Sequence, residues 1–140
     1  MSLQRKIEKV TQLLDELSVE SRNGAIIIVE GRKDVAALRK LGIVGEIVPA
    51  KSSGKSFIEI VSEVEEIENR NIILLMDFNR RGTEWTKRLV KHLERKRVKV
   101  NDRFWRELRN LVGRSVKDVE GLATYMETLK REAEGRHIRT

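Results

Sequence analysis

Cysteine is absent from the 140 residues, proline occurs once, histidine twice, and aromatic residues make up 4%. The first absence excludes disulfides, thiolate zinc sites and a cysteine nucleophile, and His92 and His137 are too few for an all-histidine metal centre. Any metal must therefore rest on oxygen ligands. No apolar run approaches the roughly 18 residues needed to cross a membrane, and the start MSLQRKIEKV lacks the uncharged stretch of a signal peptide. No membrane partner and a cytoplasmic location are therefore expected. A single proline, two glutamines and many Lys, Arg, Glu, Ile and Val residues resemble the usage of heat-adapted proteins.

What is present is a 39% hydrophobic, 36% charged chain, enough apolar mass for one domain of this length beneath an unusually charged surface. Lys plus Arg total 29 against 22 Asp plus Glu, a net charge of +7. Between Arg80 and Arg106 stand eleven basic and three acidic residues, a balance of +8 that alone exceeds the charge of the whole chain. That concentration suits a polyanion, because each phosphate met by Lys or Arg releases condensed counterions. A solvated, salt-bridged helix is the competing reading.

Leu3, Ile7, Val10, Leu14 and Leu17 mark an amphipathic N-terminal helix over residues 1–23, set apart from a domain over residues 24–140. Its seam suits docking on that domain or pairing with a second copy as a homodimer. Ala25–Val29 is an unbroken β-branched run of the kind buried on both faces of a parallel sheet. A helix follows on Val35, Leu38 and Leu41, with Gly42 as its left-handed terminator. Val44–Val48 is a second strand, and Phe57, Ile60, Val61 and Val64 a second helix. Ile72–Met76 is a third strand, leading through Arg80, Arg81 and Gly82 into a helix with Thr83 as its N-cap. Val98–Val100 is a short fourth strand, and helices built on Phe104, Trp105, Leu108 and Leu111 and on Val119, Leu122 and Met126 close the chain. Strands alternating with helices predict a three-layer α/β sandwich with a Rossmann-like, mostly parallel four-stranded sheet and an extra N-terminal helix.

In such a sheet ligands bind outside the carboxyl ends of the strands. Glu30 ends the first strand; Asp77 and Asn79 end the third, two residues apart and so on one side of an extended chain. Together they suit one Mg²⁺, with Mn²⁺ as a substitute, because a hard cation asks for few protein oxygens and keeps waters. Asp34 is either a cap for the following helix or a group behind the metal ligands. Gly54-Lys55-Ser56 is not a phosphate-binding loop of the nucleotide-hydrolase kind, since Pro49 stands where its first glycine belongs. Lys51 and Lys55 in that stretch, facing a helix N-terminus, still suit a phosphate. Trp85, Phe104 and Trp105 have the spacing of core residues, with base stacking as the alternative. The acidic series Glu59, Glu63, Glu65, Glu66 and Glu68 reads as a solvated helix face.

Ile26-Ile-Ile-Val-Glu-Gly-Arg-Lys-Asp34, followed by Ala37-Leu38 and Leu41-Gly42-Ile43, resembles the first motif of Toprim domains. Leu75-Met-Asp-Phe-Asn-Arg-Arg-Gly82 is similar to their Asp-x-Asp motif with its trailing glycine. The resemblance spans about residues 24–125, and Ser115-Val-Lys-Asp-Val-Glu-Gly-Leu122 is similar to a segment of small stand-alone archaeal Toprim proteins. It implies a topoisomerase-primase type of sheet, Glu30 as general acid or base, Asp77 as Mg²⁺ ligand, and DNA or RNA as partner. Asn79 departs from the pattern by standing where the second aspartate belongs. The substitution keeps an oxygen but removes a charge, which puts a two-metal mechanism in doubt.

Two functions follow as expectations. One is Mg²⁺-dependent phosphoryl transfer or phosphodiester cleavage, with Lys33, Lys51, Lys55, Arg80, Arg81, Lys87, Arg88 and Lys91 as phosphate contacts. The other is a non-catalytic nucleic-acid or ribonucleoprotein binding module that carries a lapsed acidic site. A scaffold dimerising through the N-terminal helix would leave the basic window without a purpose.

Overall fold

A computed structural model describes residues 1–51, 56, 59, 62, 63, 66 and 70–138. The helix expected on Phe57, Ile60, Val61 and Val64 falls outside the described residues, as does Lys55. Four strands and five helices are described. They run α1 (Leu3–Arg22), β1 (Ile26–Val29), α2 (Arg32–Lys40), β2 (Ile47–Pro49), β3 (Ile72–Leu74), α3 (Arg80–Arg95), β4 (Val100–Asn101), α4 (Arg103–Val112) and α5 (Val119–Ile138).

The four strands pair in parallel in the order β2-β1-β3-β4. The β-branched runs occupy its centre: Ile26, Ile27, Ile28 and Val29 of β1 and Ile72, Ile73 and Leu74 of β3 are fully buried, as strands covered on both faces must be. The fold is the expected α/β sandwich built on a parallel four-stranded sheet. No helix among the described residues is long and apolar enough to cross a membrane.

Three boundaries differ from the expectation, the first two for a local reason. The second strand begins at Ile47, because Gly45 has φ +99° and lies against Ser21, whose hydroxyl donates to the Val44 carbonyl. Arg39 donates to the carbonyls of Ile43 and Gly45 as well, so the chain is held as a turn there. The fourth strand begins at Val100, since the Val98 amide still donates to the Leu93 carbonyl and Arg97 takes φ +61° to end α3. The ladder of β3 stops at Leu74, although the Leu75 amide donates to the Ile28 carbonyl and Leu75 and Met76 stay buried. Gly42 follows the cap residue Leu41 with φ +88°, the left-handed terminator the sequence predicts.

Ile7, Val10, Leu13, Leu14 and Leu17 of α1 belong to the same apolar core as the sheet, and α1 packs on α4 and α5. The seam of this helix is thus occupied within the chain. Arg103 adds an ion pair from α4 to Glu16 of α1 at 2.9 Å. Phe104 and Trp105 are buried in that core, the packing role their spacing indicates.

Candidate metal and nucleic-acid site

β1 and β3 are neighbours in the sheet, paired as Ile28 with Leu74, so their carboxyl ends bring Glu30 and Asp77 together. Glu30 is only 4% exposed. Its Oε2 lies 3.4 Å from Lys51 Nζ and 3.8 Å from Arg81 Nη2. Its Oε1 and the Oδ1 of Asp77 are buried with no N–H or O–H donor on either while both carboxylates are ionised. Unpartnered buried carboxylate oxygens are costly, and a buried charge calls for a counter-ion or a proton. Burial, followed by a hydrogen bond to Glu30 and the charges of Glu30, Asp34 and Asp118, pushes the Asp77 carboxyl up to about 9. Without a cation, Asp77 therefore holds a proton against Glu30 at neutral pH.

The backbone around Asp77 is fastened from three sides. Its carbonyl accepts from the indole N–H of Trp105 at 3.0 Å. The next amide, of Phe78, donates to the Lys117 carbonyl at 2.8 Å. Gly82 comes so close that a Cβ there would stand 2.0 Å from the Asp77 carbonyl oxygen. The trailing glycine is thus required by the approach of the first turn of α3 to the end of β3.

Asn79, not Thr83, is the N-cap of α3. Its side-chain oxygen accepts from the Gly82 amide at 2.8 Å, while Thr83 returns both its amide and its hydroxyl to the Asn79 carbonyl. Asp34 occupies the third position of α2, accepting from the Gly31 amide at 3.0 Å as the distal half of a capping box. Its other oxygen accepts from the Glu120 amide of α5 at 2.9 Å. Burial raises the pKa of this carboxyl, and the two backbone amides counter the rise.

The basic residues divide into those that reach the carboxylates and those that do not. Lys51 and Arg81 reach Glu30. Lys51 is carried there by its own backbone, whose amide donates to the Glu30 carbonyl at 2.8 Å beside the edge strand β2. Its ammonium also lies 5.4 Å from the centre of the half-buried Trp85 ring. Arg80, Lys87, Arg88 and Lys91 are exposed along α3, with Arg80 paired to Glu84 at 3.4 Å. Lys33 is exposed on the first turn of α2. Sequence reasoning assigns no role at the site to Trp105 or Asp118. Asp118 has a local signal, an aspartate three residues before Gly121, whose amide donates to Asp118 Oδ1 at 2.7 Å at the start of α5.

The arrangement fits a hard divalent cation. Among the described residues no three His, Cys, Asp or Glu side chains form a joint metal site. An ion here would thus rest on Glu30 and Asp77 and keep most of its waters, as Mg²⁺ commonly does. Two buried carboxylate oxygens without a donor, with a lysine and an arginine on the neighbouring Glu30 oxygen, fit such an ion.

The family profile for the Toprim domain matches residues 24–102. The chain is 33% identical over 126 residues to a UPF0292 protein of Methanosarcina barkeri, covering 90% of this chain and 86% of that one. It is 32% identical over 120 residues to a UPF0292 protein of Methanocaldococcus jannaschii, covering 85% and 91%. A solved structure of a protein from Aquifex aeolicus superposes with a TM-score of 0.61 at 26% identity, over 78% of this chain and 94% of that one. With the profile spanning more than half the chain and these relatives nearly all of it, the chain belongs to the Toprim domain family.

Proposed function

We propose that this protein binds nucleic acid and carries out Mg²⁺-dependent phosphodiester cleavage or a related phosphoryl transfer, with Glu30 and Asp77 at the reacting phosphate. The observation that carries the reading is the pair of buried, partnerless oxygens, Glu30 Oε1 and Asp77 Oδ1, beside two cations at the mouth of a basic helix. A bound Mg²⁺ would neutralise charge on the phosphate oxygens and lower the pKa of a coordinated water. Glu30 takes a proton from the attacking water or gives one to the leaving oxygen. Lys51 and Arg81, drawn from Glu30 Oε2, bind the non-bridging oxygens and stabilise their charge in the transition state. Lys87, Arg88 and Lys91 hold the strand farther along α3. The sixteen residues of that helix span about 24 Å, which is room for several phosphates.

Asn79 favours a second reading, a non-catalytic binding module. Its side-chain oxygen serves the cap of α3, so the loop after β3 offers one carboxylate and no more.

The two readings separate when wild type, Asp77→Ala and Asn79→Asp are compared for Mg²⁺-dependent cleavage of labelled single- and double-stranded DNA and RNA, with binding followed in parallel. Cleavage by wild type that Asp77→Ala abolishes identifies an enzyme. Salt-sensitive binding by all three without cleavage identifies the binding module. In either case replacing both Lys87 and Lys91 by alanine lowers the slope of log affinity against log salt by up to about 2, close to one for each phosphate no longer neutralised.

A further inference from the structure

The turn before α5 brings a further carboxylate to this site, from outside the residues that the family profile matches. Phe78, the neighbour of Asp77, donates its amide to the carbonyl of Lys117, the neighbour of Asp118, at 2.8 Å. On the other side Asp34 accepts from the Glu120 amide at 2.9 Å. The segment 117–120 is thereby tied both to the end of β3 and to the first turn of α2, the elements that follow Asp77 and Glu30. Asp118 lies between these two ties, which hold its carboxylate at the same end of the sheet as Asp77 and Asp34.

The two oxygens of Asp118 are used unequally. Oδ1 accepts from the Gly121 amide at 2.7 Å and caps α5; the carboxylate makes no other hydrogen bond or ion pair among the described residues. Capping alone does not call for a charge, since serine and asparagine cap as well as aspartate does. Like-charge repulsion from the acidic group at this end of the sheet offsets what the Asp118 charge gains at the N-terminus of α5, so the charge brings the cation-free fold little net stability. The repulsion is relieved if a cation sits among the carboxylates. Glu30 points to that cation independently, being more than nine-tenths buried with Oε1 unpartnered.

We infer that Asp118 is a water-mediated ligand of a divalent cation held between Glu30 and Asp77, delivered by the turn before α5. The inference rests on the reading of Glu30 and Asp77 as cation ligands. Asp118 is too far to complete a three-carboxylate inner set, and its unengaged oxygen accepts from a water of the ion, orienting it as outer carboxylates do. The turn before α5 then becomes a fixed wall of the site, and loss of the Asp118 charge is felt by the ion and not by the helix.

The test titrates the full chain with Mn²⁺ alone, following the free-ion electron paramagnetic resonance signal, and records a thermal melt in EDTA for each variant. Asp118→Asn keeps the capping oxygen and removes the charge; the expected result is Mn²⁺ binding weakened about ten-fold or more with the melt unchanged. Asp118→Ser, a second capping residue, gives the same result and replaces the first variant if that one does not fold. Glu120→Gln removes an exposed charge two residues away and changes Mn²⁺ affinity by less than about two-fold. Binding by Asp118→Asn equal to wild type, with Asp77→Ala abolishing it, overturns the role of Asp118 and leaves the cation site standing. Equal losses in Asp118→Asn and Glu120→Gln overturn it too, since a diffuse field would then account for both. No Mn²⁺ binding by wild type overturns the cation site and Asp118 together.

Discussion

Gly82 and Asp77 are in backbone contact: a Cβ on Gly82 would stand 2.0 Å from the Asp77 carbonyl oxygen and 2.9 Å from its Cα. The obstacle is main chain at the end of a buried strand, which has no rotamer by which to withdraw. Gly82→Ala is therefore expected to destabilise by about 2–4 kcal/mol, in the upper range of overpacking substitutions. Urea unfolding measures the loss. A change below about 0.5 kcal/mol would show that the first turn of α3 can move off the strand.

Asp77 controls how the cation-free protein responds to pH. Its pKa in the folded state, about 9, lies above the ordinary 3.8, so between these values the folded state holds a proton that the unfolded state has released. Stability from this group is whole below about pH 4 and declines as pH rises toward 9. Asp77→Asn, which mimics the protonated side chain without titrating, should match wild type near pH 4 and melt several degrees higher at pH 8 in EDTA. Mg²⁺ displaces the proton and stabilises only the folded state, so it should raise the wild-type melting temperature more at pH 8.5 than at pH 6. Calorimetric melts with and without Mg²⁺ report both effects. A wild-type melting temperature that climbs from pH 5 to pH 8 in EDTA would contradict the assignment.

Asp34 joins two helix N-termini through one carboxylate, with Gly31 on one oxygen and Glu120 on the other. Asp34→Ala leaves both amides short of an acceptor and opens the packing of α2 on α5, at a cost of about 2–4 kcal/mol. Asp34→Asn keeps one acceptor and should cost roughly half as much. Hydrogen exchange at the Glu120 amide provides the local reading: it should accelerate strongly in the alanine variant, and unchanged protection would rule out the strap.

Much of this architecture is legible in the residues. Ala25–Val29 and Ile72–Met76 can be satisfied only by burial on both faces, and that places their ends, Glu30 and Asp77, on one rim of a parallel sheet. The cap of α3 is not legible in the same way, because Asn79 and Thr83 are both good capping residues and the sequence points as readily to Thr83. The close approach of Gly82 to Asp77 starts the helix at Arg80 and selects Asn79. Lys51 is legible as a cation near the strand ends, but its pairing with Glu30 depends on which strand lies beside β1.

Composition and periodicity determined the class of fold, the oxygen character of any metal site and the basic face of α3, because these follow from local pattern and from which residue types are missing. The tertiary structure decided the rest. Asp34 meets an amide 86 positions away, Trp105 reaches the Asp77 carbonyl across 28, and Phe78 is fastened to Lys117. Each of these side chains or amides would look the same in sequence with another partner, since hydrogen bonds between distant segments leave no periodic trace. It is the packing of α4 and α5 around the ends of β1 and β3 that buries one oxygen of each strand-end carboxylate away from any donor.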